Sequence, residues 1–100
     1  MLPGDWIVSK FEVSRGRDRF SINYYVGQIL PNGEGEEQPR KDEVKVQYYR
    51  SKVPNENIYT MLDNWEFASK ETIVEQIEKP DILSGERIQL LSIPKSGKLV

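Results

Sequence analysis

Apolar and polar residues alternate at a period of two over several short stretches of this chain, and that period predicts strands. Phe20–Leu30 (FSINYYVGQIL) and Val44–Arg50 (VKVQYYR) are rich in β-branched and aromatic residues, which suit a pleated, half-buried surface. In the first, Ile22, Tyr24, Val26 and Gln28 share one face, and Asn23, Tyr25, Gly27 and Ile29 share the other. In the second, Val44, Val46 and Tyr48 alternate with Lys45, Gln47 and Tyr49. Pro31-Asn32-Gly33 ends the earlier stretch, and Glu34–Glu43 has no apolar period, so it reads as a solvated, mobile loop. A lone hairpin is marginal in water, so the remaining runs are expected to pack against this pair.

Asp5–Val13 is a further strand, with Trp6, Val8 and Lys10 on one side and Ile7, Ser9, Phe11 and Val13 on the other. Apolar groups on both sides near Trp6 predict that this strand is covered on both faces. Ser14–Arg19 is a turn in which Gly16 supplies positive φ. Gly27, in mid-strand, calls for a bend or a close neighbouring chain. Ser51–Glu56 reads as the next turn, and Asn57–Leu62 as an extended piece or part of a long loop. Asp63-Asn64 signals a turn before a short strand at Trp65-Glu66-Phe67. Lys70–Lys79 has helical spacing at Ile73, Val74 and Ile77, with Ser69 as a cap and Pro80 as a stop. Its β-branched residues favour a fifth strand near Thr72–Ile77. Asp81-Ile82-Leu83 reads as one helical turn, Ile88–Ile93 as extended, and residues 95–100 as a frayed tail.

One hundred residues fit one domain, placed at residues 4–94. Five short strands, with a long loop between the second and third, describe an all-β, SH3-like barrel. The chain is 37% hydrophobic, with ten aromatic residues and a formal net charge of −2. That charge gives no global pull toward nucleic acid or an anionic membrane. No apolar run approaches a membrane span, and Met1–Asp5 lacks the basic start and apolar core of a signal peptide, so an intracellular setting is expected. The chain has neither cysteine nor histidine, which removes thiolate chemistry, the commonest general base and the usual zinc sets. No nucleophile elbow and no Gly-rich phosphate loop are present, so a non-catalytic role without metal or cofactor is expected.

Gly4-Asp5-Trp6-Ile7-Val8 and Tyr24-Tyr25-Val26-Gly27-Gln28-Ile29 resemble the opening and the second-strand motif of the Tudor-like members of the SH3-like class. Tyr25-Val26-Gly27, Val46–Arg50 and Trp65-Glu66-Phe67 with Glu71-Thr72-Ile73 also resemble a module at the carboxy-terminal ends of transposon-derived proteins of insects and other invertebrates. In that comparison Tyr49 replaces an aliphatic residue and Trp65 a phenylalanine. The resemblance implies a protein-interaction module in a nuclear, chromatin-associated polypeptide. Tudor-like domains commonly read methylated lysine or arginine in an aromatic cage, because ring faces attract a desolvated cation.

Tyr48, Phe67 and one of Tyr24 and Tyr25 are assigned to the core. That leaves Trp6, Tyr24, Tyr49, Tyr59 and Trp65 as candidate partner-binding rings, with Asp5 or Asp63 as counter-charge. At least two of Trp6, Tyr49 and Trp65 are expected to be exposed in one contiguous patch. Arg50 works against a cationic ligand. The alternative reading is a nucleic-acid-binding barrel, in which Arg15, Arg17 and Arg19 of the hairpin turn meet phosphates. The acidic loop lacks the residue order of an EF-hand and carries no metal assignment.

Overall fold

The computed structural model describes residues 1–53, 57–96 and 99–100. Its strands are β1 (Trp6–Ser14), β2 (Phe20–Ile29), β3 (Glu43–Val53), β4 (Ile58–Met61), β5 (Glu66–Ser69), β6 (Ile73–Ile77), β7 (Asp81–Ile82) and β8 (Arg87–Gln89). A single turn of 3₁₀ helix, Lys70–Thr72, leads into β6 and is capped by the Ser69 hydroxyl, which accepts the Glu71 N–H. The strands pair antiparallel in the order β6-β1-β2-β3-β4-β8-β7, and β5 pairs with the early part of β3 beside β4. The chain is thus all-β. Among the described residues there are eight strands, and the sheet does not close on itself.

Alternation sorts the apolar residues into two cores, one on each face. Ile7, Ile29, Val46, Tyr48 and Ala68 form the first, with Phe11, Tyr25, Val44 and Ile73 against it. Trp6, Val8, Val26, Tyr49, Tyr59, Ile88, Leu90 and Leu99 form the second, joined by Tyr24, Met61 and Ile77. The two-sided burial expected near Trp6 is present.

Several elements depart from the sequence pattern. Asp81-Ile82-Leu83 is not a helical turn: Asp81 and Ile82 pair with Gln89 and Ile88, so a tight turn at Ser84–Glu86 makes a hairpin there. The turn expected over Ser51–Glu56 is instead the end of β3, which runs through Val53, and residues 54–56 lie outside the described residues; of the two readings of Asn57–Leu62, the extended one holds, as β4. The tail is not frayed at Leu99 and Val100. Leu99 is buried beside Tyr24, the Val100 N–H donates to the Tyr24 carbonyl (2.9 Å), and the Ser51 N–H donates to the Val100 carbonyl (3.0 Å). Upstream, the Glu75 carboxylate accepts the N–H groups of Lys95 (3.1 Å) and Ser96 (2.9 Å) and the Ser96 hydroxyl (2.6 Å). Burial works against the Glu75 charge, but these donors and the Lys95 ammonium outweigh it and hold the carboxyl below its usual range. A short segment of apolar and backbone partners therefore anchors what local sequence reads as loose. Residues 97–98 lie outside the described residues.

The loop between β2 and β3 is also more tightly tied than its composition implies. Lys45 on β3 is only 7% exposed, and its Nζ sits 2.6 Å from Glu36 Oε2 and 4.2 Å from the Trp65 ring centroid. The hydrogen bond and charge of Lys45 hold the Glu36 carboxyl below its usual range, and burial only partly opposes this. Gln38 Nε2 bridges the Gly33 and Glu36 carbonyls, each at 3.1 Å.

Gly27 explains how β2 and β3 approach. A Cβ there would lie 2.6 Å from Val46 Cγ1 and 3.0 Å from Tyr48 Cδ1. Gly27→Val is expected to destabilise the fold by about 1–3 kcal/mol through overpacking, measured by urea denaturation. Shortening the loop within 37–41 should leave the melting temperature nearly unchanged, because closure depends weakly on length. A cut that also removes Glu36 should lower it, because Lys45 then stays buried without its carboxylate.

Candidate binding groove

The structure separates the rings assigned to partner binding. Trp6 and Tyr49 are 3% and 4% exposed and pack on each other with centroids 5.4 Å apart in the second core. Tyr59 is buried in the same cluster, and Tyr24 is half-buried against it. Trp65 is 38% exposed but is committed to Phe67 (5.1 Å between centroids) and to Lys45. The expected patch of Trp6, Tyr49 and Trp65 is therefore absent. The physical reason is the covering of that face: β8, Leu90 and Leu99 bury the rings that a five-stranded sheet alone would leave open. Asp63 is exposed between β4 and β5, and Asp5 caps the Leu2 N–H (2.8 Å). Arg15, Arg17 and Arg19 are exposed at the β1–β2 turn.

A different set of residues forms a groove on the opposite face. Phe11, Glu12 and Val13 of β1, Tyr25 of β2, Tyr48 of β3, Leu62, and Glu66 of β5 line a cavity of about 310 Å³. That lies at the small end of ligand-pocket volumes and suits one side chain or small cation. Its walls come from strand geometry. In the β1–β2 register Ser9 faces Tyr25 and Phe11 faces Asn23, so Phe11 and Tyr25 are diagonal neighbours on one face. Their rings meet at 90° with centroids 5.3 Å apart. Tyr48 meets Phe11 at 75° and 5.4 Å, and Tyr25 at 68° and 6.3 Å. Three rings near right angles hold one another in place, and the cavity opens beside them.

Tyr48 forms the floor. Its hydroxyl donates to Ser9 Oγ at 2.8 Å, and Ser9 is itself fully buried. Burial pushes the Tyr48 phenol up to about 12; the Ser9 hydrogen bond partly opposes this and the Glu66 charge adds to it. The phenol is therefore neutral at ordinary pH. Glu66, paired with Val46 and so on the face of the first core, stands exposed at the rim and sets one carboxylate beside the aromatic floor; Glu12 pairs with Ile22, so its side chain leaves β1 on the other face. Arg50, on β3 two residues beyond Tyr48, is exposed and is not part of the lining. In general, ring faces and a nearby carboxylate both attract a cation with apolar substituents.

Phe11, Glu12 and Glu66 were not singled out by the sequence pattern. The signal that reaches them is the hairpin register: once the turn is centred on Arg17, Phe11 and Tyr25 fall diagonally on one face. Among the described residues no group of three or more His, Cys, Asp or Glu side chains is placed to hold a metal ion, and no helix is long and apolar enough to cross a membrane. Compared with protein-family models, curated proteins and solved structures, the chain finds no match.

Burial also raises the phenols of Tyr49 and Tyr59. An unfolded tyrosine gives up its proton near pH 10, whereas folded Tyr48 holds its own to about 12. Stability is thus full below pH 10 and falls as pH rises from there toward 12, with Tyr48 alone contributing roughly 2–3 kcal/mol. Thermal melts between pH 8 and about 11.5, read with tyrosinate absorbance, should show unfolding and ionisation moving together.

Proposed function

We propose that this chain is a non-catalytic binding module that takes a cationic, methylated side chain of a partner peptide in the Phe11–Tyr25–Tyr48 groove. The observation that carries this reading is the near-orthogonal set of three rings beside the Glu66 carboxylate, with a neutral phenol at its floor. Ring faces stabilise a desolvated alkylammonium by about 0.5–2 kcal/mol each, and Glu66 supplies the opposite charge. Methylation favours such a site because it lowers the hydration that an unmodified ammonium would have to give up.

The strand path supports assigning the domain to the SH3-like, Tudor-like class. β1, β2, β3, β5 and β6 surround the first core, and β6 returns to pair with β1 after the 3₁₀ turn. β4 and β8 are then additions that serve the second core, and β7 pairs with the outer edge of β8. A chromatin-associated, nuclear partner follows from the Tudor-like resemblance alone.

The test is titration, by amide NMR, with short peptides carrying trimethyllysine, dimethylarginine or the unmodified residue. Shifts should concentrate at Phe11, Tyr25 and Glu66, and a methylated peptide should bind about 5- to 30-fold more tightly than its unmodified form. Tyr25→Leu keeps apolar packing but removes a ring face, so it should weaken binding by about 1–3 kcal/mol and leave the melting temperature within a few degrees. Equal affinity for methylated and unmodified peptides, or shifts elsewhere on the surface, would overturn the reading.

A further inference from the structure

The far ends of β1 and β2 form an arm that extends past the body of the sheet. β6 pairs with β1 only as far as Ser9, and β3 pairs with β2 only from Val26 onward. The turn at the end of this arm is closed by the Arg15 N–H donating to the Arg19 carbonyl (2.9 Å), with Gly16 and Asp18 at positive φ. The Arg15–Arg19 bond joins the two residues across the turn, the Arg19 N–H turns back to the Gly16 carbonyl (3.4 Å), and Arg17 stands at the tip. Arg15 is oriented further by its Nε, which donates to Ser21 Oγ at 3.1 Å. Asp18 is the single acid among these three arginines. Directly behind them Phe20, at 71% exposed, is the most exposed ring of the chain, and Ile22 and then Tyr24 continue the same face.

We infer that this arm binds single-stranded nucleic acid, the arginines taking successive phosphates and the Phe20 ring stacking on an unpaired base. A charged turn with an adjacent open ring face supplies both parts of sequence-tolerant strand binding. The net charge of −2 makes the attraction local rather than global: the acidic loop leaves the opposite end of β2, so the strand is drawn to the arm alone. A bilayer fits this order of residues poorly. The arginines and Asp18 are outermost and the ring lies behind them, so insertion would bury the charges first. A duplex offers no free base face for Phe20, which favours the single strand. The inference is independent of the groove on the other face.

The experiment is fluorescence anisotropy of the full chain with a labelled oligothymidylate of about fifteen residues, within the site sizes that such proteins cover. With three phosphates engaged, affinity should fall roughly 20-fold between about 50 and about 200 mM salt. Arg17→Ala should flatten the logarithmic salt slope by about 0.7. Phe20→Ala should weaken binding about 5- to 100-fold at every salt concentration and leave the slope alone. Both residues are exposed, so the variants should melt with the parent, and Glu66→Gln in the groove should bind the oligonucleotide unchanged. No anisotropy change at low salt would overturn the inference, as would binding that neither arm variant weakens. Tighter binding to a duplex of the same length, or to phosphatidylserine vesicles, would also overturn it.

Discussion

The close approach of β2 and β3 at Gly27 is the constraint on which the rest of this structure depends. With no side chain at that position, Val46 and Tyr48 settle directly over the β2 backbone. This contact seats Tyr48 deeply enough to reach Ser9 on β1, two strands away, through one buried hydrogen bond. The same placement puts the Tyr48 ring against Phe11 and Tyr25 and makes it the groove floor. Packing in the first core and the geometry of the site are consequences of one missing methyl group, because close-packed interiors transmit such changes rather than absorb them.

Rings and carboxylates meet in two places in this chain. Lys45 lies buried on β3, with a ring on one side and the Glu36 carboxylate on another. Its charge is already satisfied, and this pair, buried at Lys45 and half-exposed at Glu36, ties the long loop to β3. In the groove, by contrast, three rings and Glu66 converge with no ammonium among the lining residues. The two arrangements use the same chemistry.

Strand alternation was legible because it is a local property. The faces of β1 and β2, the turn at Gly16, the covering of both sides near Trp6 and the special status of Gly27 all follow from spacing and side-chain type. The ambiguous stretch after Ser69 resolved into a 3₁₀ turn and then a strand, because β1 offers an edge that β-branched Ile73 and Ile77 can join. What local spacing did not reveal was the fate of Trp6, Tyr49 and Tyr59. Their burial depends on Ile88, Leu90 and Leu99, residues far away in sequence whose short runs carry no period of their own. The groove was hidden for a related reason: Phe11, Tyr25 and Glu66 meet only through register, and Glu66 on its own resembles any surface acid.

The wedge made by Leu99 and Val100 has a consequence for how the fold is acquired. These residues enter the second core and join Tyr24 to Ser51, contacts that span most of the sequence. Ordering so large a loop is an entropic demand that local hairpins do not face, so such contacts are made late. While the chain emerges from the ribosome, the β1–β2 hairpin and the first core have all their strands once β6 is out. The face bearing Trp6 and Tyr49 is fully covered only once Ile88, Leu90 and Leu99 have all been made. Until then this nascent surface is sticky, and it is the part of the molecule that a chaperone would shield.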